Sequence, residues 1–466
     1  MSHPRVSVLF GLTTLLLAPA CGDDGAMGAD TEPTTGGESS TTGPVADTGS
    51  DTDPELRRAQ FHEDVFPILA RHCGSCHVPG AIAPFTLDSY EDAVEWGEPM
   101  LAAVQARSMP PFAVNNDGSC NSFVDARWVS DEEIDVIADW VDAGYPEGDP
   151  SIPPPSVPEP PTLQGEIDEL QLPEYEPVAV PEYGGFEDYH CFRVELDLDQ
   201  PRYVTGFDVV PGNPALVHHV LGFRVDPDLL GNEAQMQALD DQSPDVPGWD
   251  CFGAAGEDVI PNGVPVTWAP GAGAIEYPEG TGILFEPGDV LVVQMHYDLV
   301  EGSGLDATQV HLAVADEVER PVYQVLWDPF LYSSQFGDPQ QLAPGQEAVQ
   351  YVWDDRIRDM LAFDASGADQ YDEIEILGMI PHMHERGRRM IIELETPAGM
   401  QCGADVDRWD FNWQSAYFLQ APMAATLDDR LHVTCEFSTV GDTEPVLPGF
   451  GTDDEMCLVG LMFAPR

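Results

Sequence analysis

The sequence of 466 residues predicts a multidomain chain, a small all-α domain followed by two all-β sandwiches of jelly-roll kind. Three observations carry that expectation. Between 57 and 149, apolar residues recur at helical spacing in "RAQFHEDVFPILARHC", "DSYEDAVEWGEPMLAAVQARSM" and "SDEEIDVIADWVDAGYP". Residues 150–180 open with "PSIPPPSVPEPPTLQGE", whose prolines forbid helix and central strand and favour an extended spacer. From 181 onward the text turns to short alternating runs, among them "YHCFRVELDL", "VLVVQMHYDL", "MIIELET" and "LHVTCEF", separated by Gly, Pro, Asn and Asp. Nearly 300 residues of such text are enough for two sandwiches, expected at 181–318 and 319–466.

The elements ahead of these read in order. Residues 1–21, "MSHPRVSVLFGLTTLLLAPAC", combine one Arg, a short apolar run and small residues before Cys21. That arrangement resembles a lipoprotein signal, with Cys21 as the lipidated first residue of the mature chain, although Ala18 stands where such signals prefer Leu. The apolar run is shorter than a membrane span requires, so any membrane attachment is expected through the lipid anchor alone. Residues 22–56 hold almost nothing apolar and read as a disordered tether. Within the helical domain, Ser130 and Glu133 form a capping-box pair at a helix start.

The chain has 83 acidic and 18 basic residues, a net charge of -65. Such a field repels phosphates, which excludes nucleic acid as a partner and suits a solvated surface in an extracytoplasmic setting. Export, to the periplasm or to the cell surface as an outer-membrane lipoprotein, is the expected destination. Nine cysteines agree with an oxidising compartment. Setting aside Cys21, Cys73 and Cys76 leaves an even remainder of Cys120, Cys191, Cys251, Cys402, Cys435 and Cys457.

"RHCGSCHVPG" places Cys73, Cys76 and His77 in the C-x-x-C-H arrangement that attaches a c-type haem. Two thioethers hold the porphyrin and the adjacent His reaches the iron. A zinc site or a plain disulfide are the competing readings of that spacing. "ARSMPPF" offers Met109 as the second axial ligand, with Met100 a less suitable choice inside a helical run. His/Met ligation raises the potential and suits electron transfer. Residues 57–149 thus resemble a small class of cytochrome c domain.

The β-rich part carries a second group of metal-binding side chains. Residues at i and i+2 of a strand share a face, so His382 and His384 of "PHMHE" converge. "ALVHHVLGF" holds His218 and His219, adjacent residues that point opposite ways on a regular strand, so the chain must bend there for both to reach one metal. "VVQMHYDL" adds His296 and "GFGTDDEMCLVG" adds Met456, and imidazole with thioether favours copper.

In this order, within phrases such as "TWAPGAGAIEYPEGTG" and "VTCEFST", HHV, Q-x-H-Y, H-x-H and EMC resemble the copper type II, ascorbate-dependent monooxygenases over residues 180–466. The resemblance implies two β-sandwiches, each with one copper, on either side of an open solvent-filled cleft. The first copper would be held by His218, His219 and His296 and pass an electron. The second would be held by His382, His384 and Met456, where oxygen and substrate react. It also implies bridges Cys435–Cys457 and Cys191–Cys251, the first closing a loop worth about 3 kcal/mol in the chain-entropy model. Cys120 and Cys402 have no family partner and either pair across domains or leave a free thiol. Gln294 matches a Gln of the family. His190, His311 and His432 lie outside the matched phrases and read as structural. At three positions the chain departs from the peptide-amidating branch: Ile380, Leu458 and Gly460 stand where that branch has Arg, Asn and Tyr, so a peptide carboxylate is not the expected substrate.

The expected function is hydroxylation of a C–H bond in a small organic substrate with O2, using two coppers, a haem c, and ascorbate or another reductant. The haem domain is expected to deliver electrons to the all-imidazole copper, wholly or partly replacing ascorbate, with an electron-donor protein as a further expected partner. The rival reading is a non-catalytic surface lipoprotein that binds copper or relays electrons.

Overall fold

The computed structural model describes residues 57–79, 83–157, 161–181, 185–251, 255–270, 273–300, 302–333, 337, 339–361, 367–449 and 454–466. The leader, the tether and Cys21 lie outside the described residues. Among the described residues, no helix is long and apolar enough to cross a membrane.

Helices are few and sit mostly near the start. A π-helical turn, Phe61–Val65, runs into Phe66–His72, followed by Tyr90–Glu95, Gly97–Gln105 and Asp131–Asp142. The last begins at the expected capping box: the Glu133 amide donates to Ser130 Oγ at 3.2 Å and the Ser130 amide to Glu133 Oε2 at 2.9 Å. Phe61, Leu69, Val104 and Trp140 meet at the centre of this cluster. Each large apolar side chain buried there contributes about 1.5–3 kcal/mol.

β-Strands dominate the remainder. One nine-stranded sheet runs in the order Glu166–Gln171, Gln309–Ala315, Arg202–Val210, Thr281–Phe285, Arg320–Trp327, Leu458–Pro465, Glu373–His382, Tyr417–Thr426, with Ile275–Glu276 beside Arg202–Val210. A five-stranded sheet, Trp249–Asp250, Glu187–Glu195, Val290–Asp298, Val217–Val225 and Val266–Trp268, shares a core with its first half. A four-stranded sheet, Val349–Arg356, Arg430–Phe437, Gly387–Thr396 and Gly399–Val406, shares another with its second half. Alternation explains the layers, since inward residues such as Leu431, Val433, Cys435 and Phe437 are all fully buried on one strand.

Three expected boundaries shift. The stretch 150–180, expected as a spacer, contains the edge strand Glu166–Gln171, which pairs with Gln309–Ala315. Its sequence, EIDELQ, is polar because an edge strand faces water. The division at 318/319 is crossed by the shared sheet, where Arg320–Val322 pair in parallel with Thr281–Ile283. Residues 112–124, expected within the helical domain, lie on the second sandwich: Val114 bridges to Val406 and Phe123 to Leu419, and both are fully buried in its core. Cys120 and Cys402 form a disulfide that fastens this segment, 282 residues apart in sequence. Cys191–Cys251 and Cys435–Cys457 are also bonded.

Candidate metal centres

His219 lies directly across from His296 in the pairing of Val217–Val225 with Val290–Asp298, and the register slips between Val217 and His219. That bulge is the bend that adjacent histidines require. It turns His218 toward the same volume as its neighbour. His296 Nδ1 lies 3.1 Å from His218 Nδ1 and 3.1 Å from His219 Nδ1. All three imidazoles offer a nitrogen within 4.8 Å of the others. Two nitrogens bound at ~2.0 Å in a tetrahedral arrangement would be roughly 3.3 Å apart, so one metal ion fits among them. Burial holds the three imidazoles below their usual pKa, and most strongly at His219 and His296, which keeps their lone pairs available. Tyr189 stacks on His296 at 4.1 Å and fixes its plane.

The second group is built differently. His382 is the last residue of Glu373–His382, and His384 lies just beyond it in the turn before Gly387–Thr396. The two rings are therefore not spaced along one regular strand, yet their centroids are 5.2 Å apart. His382 Nδ1 contacts Gln414 Oε1 at 2.5 Å and His384 Nδ1 contacts the Asp454 carbonyl at 3.1 Å. Contacts at Nδ1 orient each ring and direct the opposite nitrogen, Nε2, as the donor. Burial pushes His382 down to about 4.

Met456 is 3% exposed and shares an anchor with His384. Glu455 Oε2 accepts from the His384 amide at 2.9 Å and from the Met456 amide at 3.2 Å, while Oε1 accepts from the Arg386 amide at 2.7 Å. One buried carboxylate thus gathers two distant parts of the chain. Burial pushes its pKa up to about 7, against the downward pull of these donors. Cys457, bonded to Cys435, holds the next residue, and its amide donates to Asp328 at 2.9 Å.

Replacing Glu455 by Ala leaves three amides without their acceptor, so a loss of about 3 kcal/mol or more in unfolding free energy is expected. Metal affinity at His382 and His384 is expected to fall roughly 10–100-fold, the usual cost of an outer partner. Denaturant melts and chelator competition would measure both, and unchanged affinity would deny Glu455 its positioning role.

The resemblance implies an open cleft between the two groups. In the structure the loop 407–416 spans that region: Trp413 approaches the His218 ring at 6.3 Å, while Trp409 donates to the His384 carbonyl at 3.0 Å. His382 adds to the lowering of the His219 pKa, which places the two groups within electrostatic reach.

Cys73 and Cys76 are unbonded thiols at the end of Phe66–His72, and burial pushes Cys73 up to about 12. His77 Nδ1 contacts the Phe85 carbonyl at 3.1 Å, which again points Nε2 outward as a donor. These three residues fit a thioether-bound haem in residue type and ring orientation. Met109 is 40% exposed, whereas Met100 is buried in the helical core at 7%. His190, His311 and His432 each have a protein partner: the Pro247 carbonyl at 2.7 Å, Gln309 at 3.2 Å and Glu395 at 2.8 Å. Gln294 donates to the Cys251 carbonyl at 2.7 Å, beside a disulfide.

Sequence reasoning missed Glu455, Gln414 and Trp409. A carboxylate directly before Met456 in a buried turn was the one available signal. Gln414 and Trp409 lie in a loop whose text has no period.

Residues 363–466 match the family model described as copper type II ascorbate-dependent monooxygenase, C-terminal domain. DBH-like monooxygenase protein 1 of Gallus gallus is 24% identical over 295 residues, 60% of this chain and 44% of that protein. The proteins of the same name from Homo sapiens and Mus musculus are each 23% identical, with 60% of this chain and 42% of theirs covered. The chain therefore spans less than half the length of these relatives. Residues 363–466 thus match the C-terminal domain of the copper type II ascorbate-dependent monooxygenase family, and the β-rich part of the chain is similar to these DBH-like relatives.

Proposed function

We propose that this chain is a copper-dependent monooxygenase that hydroxylates a C–H bond of a small organic substrate: RH, O2, two electrons and two protons give ROH and water. The observation that carries the reading is the gathering of His218, His219 and His296 around one small volume, opposite His382, His384 and the Met456 turn in a family-matched domain. Copper bound at these donors would supply one-electron redox chemistry and oxygen activation. The protein's own part is to keep the imidazoles of His218, His219, His296 and His382 neutral by burial, to orient the His384 ring, and to hold the Met456 turn against His384 through Glu455. Ile380 faces Gly460 across the strands Glu373–His382 and Leu458–Pro465, and neither position offers a charged side chain to a substrate carboxylate.

Cys73, Cys76 and His77 would hold a haem c, with Met109 as its other axial ligand, and electrons for the coppers would come from that haem or from ascorbate. Export as a lipoprotein through Cys21, to the periplasm or the outer surface, agrees with three disulfides. Metal and haem analysis of the exported protein is expected to find two coppers and one haem per chain. A reductant-dependent oxygen-uptake screen across small aliphatic, aromatic and amine compounds is expected to yield a hydroxylated product. Bound copper with no product from any of them would favour an electron relay.

A further inference from the structure

The segment with Cys73, Cys76 and His77 belongs to a region tied to the second sandwich. The Cys120–Cys402 disulfide ties the two covalently. Backbone bonds run beside it: the Asn115 amide to the Asp405 carbonyl at 2.8 Å, and the Val124 amide to the Phe418 carbonyl at 2.8 Å.

Aromatic and guanidinium groups line this seam. Arg127 lies within electrostatic reach of both Cys76 and Tyr417. Its neighbour Trp128 has the Arg107 guanidinium 4.0 Å from its ring centroid and that of Arg408 at 5.4 Å. Arg408 adjoins Trp409, which bonds the His384 carbonyl at 3.0 Å and lies 6.3 Å from the His382 ring. Arg127 Nη1 and Arg408 Nε and Nη2 are buried without a hydrogen-bond partner. Among the described residues Arg127 enters no ion pair, in a chain with 83 acidic and 18 basic residues. Arg408 Nη1 is paired with Asp407, so the guanidinium at Trp128 is held in place by a neighbouring carboxylate.

We propose that this seam is the electron entry of the copper part, through Trp128, Arg408 and Trp409 to the His382, His384 and Met456 group, ahead of the three-imidazole group. It rests on the haem reading above. Each transfer moves one electron and no atom: the donor, a ferrous haem at Cys73, Cys76 and His77, becomes ferric, and one copper(II) at the second group becomes copper(I).

The test uses the full chain, loaded with haem and copper and kept free of oxygen, with ferrous haem absorbance followed after rapid mixing. His296→Ala, which keeps copper at the second group, is expected to retain a fast haem oxidation. His384→Ala, which keeps copper at the three-imidazole group, is expected to lose it. In the His296→Ala background, Trp128→Leu and Arg408→Gln are expected to lose the fast phase and Trp128→Phe to keep it, at unchanged melting temperature. A fast phase that follows the three-imidazole copper, or that survives both Trp128→Leu and Arg408→Gln, would overturn the route. Absence of c-type haem bands in the purified protein would instead remove the haem reading and the route with it.

Discussion

Replacing His384 by Ala is expected to lower copper content from two ions per chain to one and to reduce product formation by more than about 100-fold, beyond the cost of losing an outer partner. On the proposed assignment the ring of His384 would reach the metal, while its backbone does structural work: its amide donates to Glu455 and its carbonyl accepts from Trp409. Alanine keeps both backbone contacts. The loss should therefore fall on the metal and not on the fold. The matching change at the other group, His219→Ala, is expected to leave copper at His382, His384 and Met456 and to slow turnover sharply by removing the copper that would store the second electron. Metal analysis, electron paramagnetic resonance and single-turnover product assays on the two variants separate these outcomes. Retention of both coppers in His384→Ala, or product at the unaltered rate, would sink the ligand assignment.

Much of this was readable in the text because the signals are local. Strands with one buried face declare themselves by alternation, and the run ending at Val433, Cys435 and Phe437 is one of them. Adjacent His218 and His219 demanded a bend, and the register slip between Val217 and His219 supplies it. The H-x-H pair was readable for a reason that proved only half right, since His384 lies beyond its strand and is placed by Glu455 instead of by the pleat.

What stayed hidden depends on long-range pairing. Nothing in "PPFAVNNDGSCNSFVD" has a period, so its place on the second sandwich is set by burial of Val114 and Phe123 far from the residues that receive them. Glu455 was hidden by its type, one acidic residue among 83, and only its burial distinguishes it. The edge strand Glu166–Gln171 was hidden by its polarity, which is the property that keeps an open sheet edge from pairing with another chain.

Removing the Cys120–Cys402 bridge by a double Cys→Ser replacement is expected to cost about 5 kcal/mol of unfolding free energy, the upper end of what chain entropy assigns to a disulfide. The loop it closes spans 282 residues, against 22 for Cys435–Cys457, whose removal is expected to cost about 3 kcal/mol on the same basis. The two losses should also differ in kind. Without Cys120–Cys402, the segment keeps its buried Val114 and Phe123 and its backbone bonds to Asp405, Phe418 and Gln420, so the native contacts form but open more often. Proteolytic nicking is then expected near residues 106–128 before the sandwich itself yields. Without Cys435–Cys457, the turn that carries Met456 loses a covalent anchor, and copper retention should fall along with stability. Denaturant melts of both double variants, with cleavage-site mapping and chelator competition, distinguish the two. If the longer loop proves the cheaper one to open, native strain or residual structure in the unfolded chain outweighs loop closure, and the seam is held by its apolar contacts instead of by its bridge.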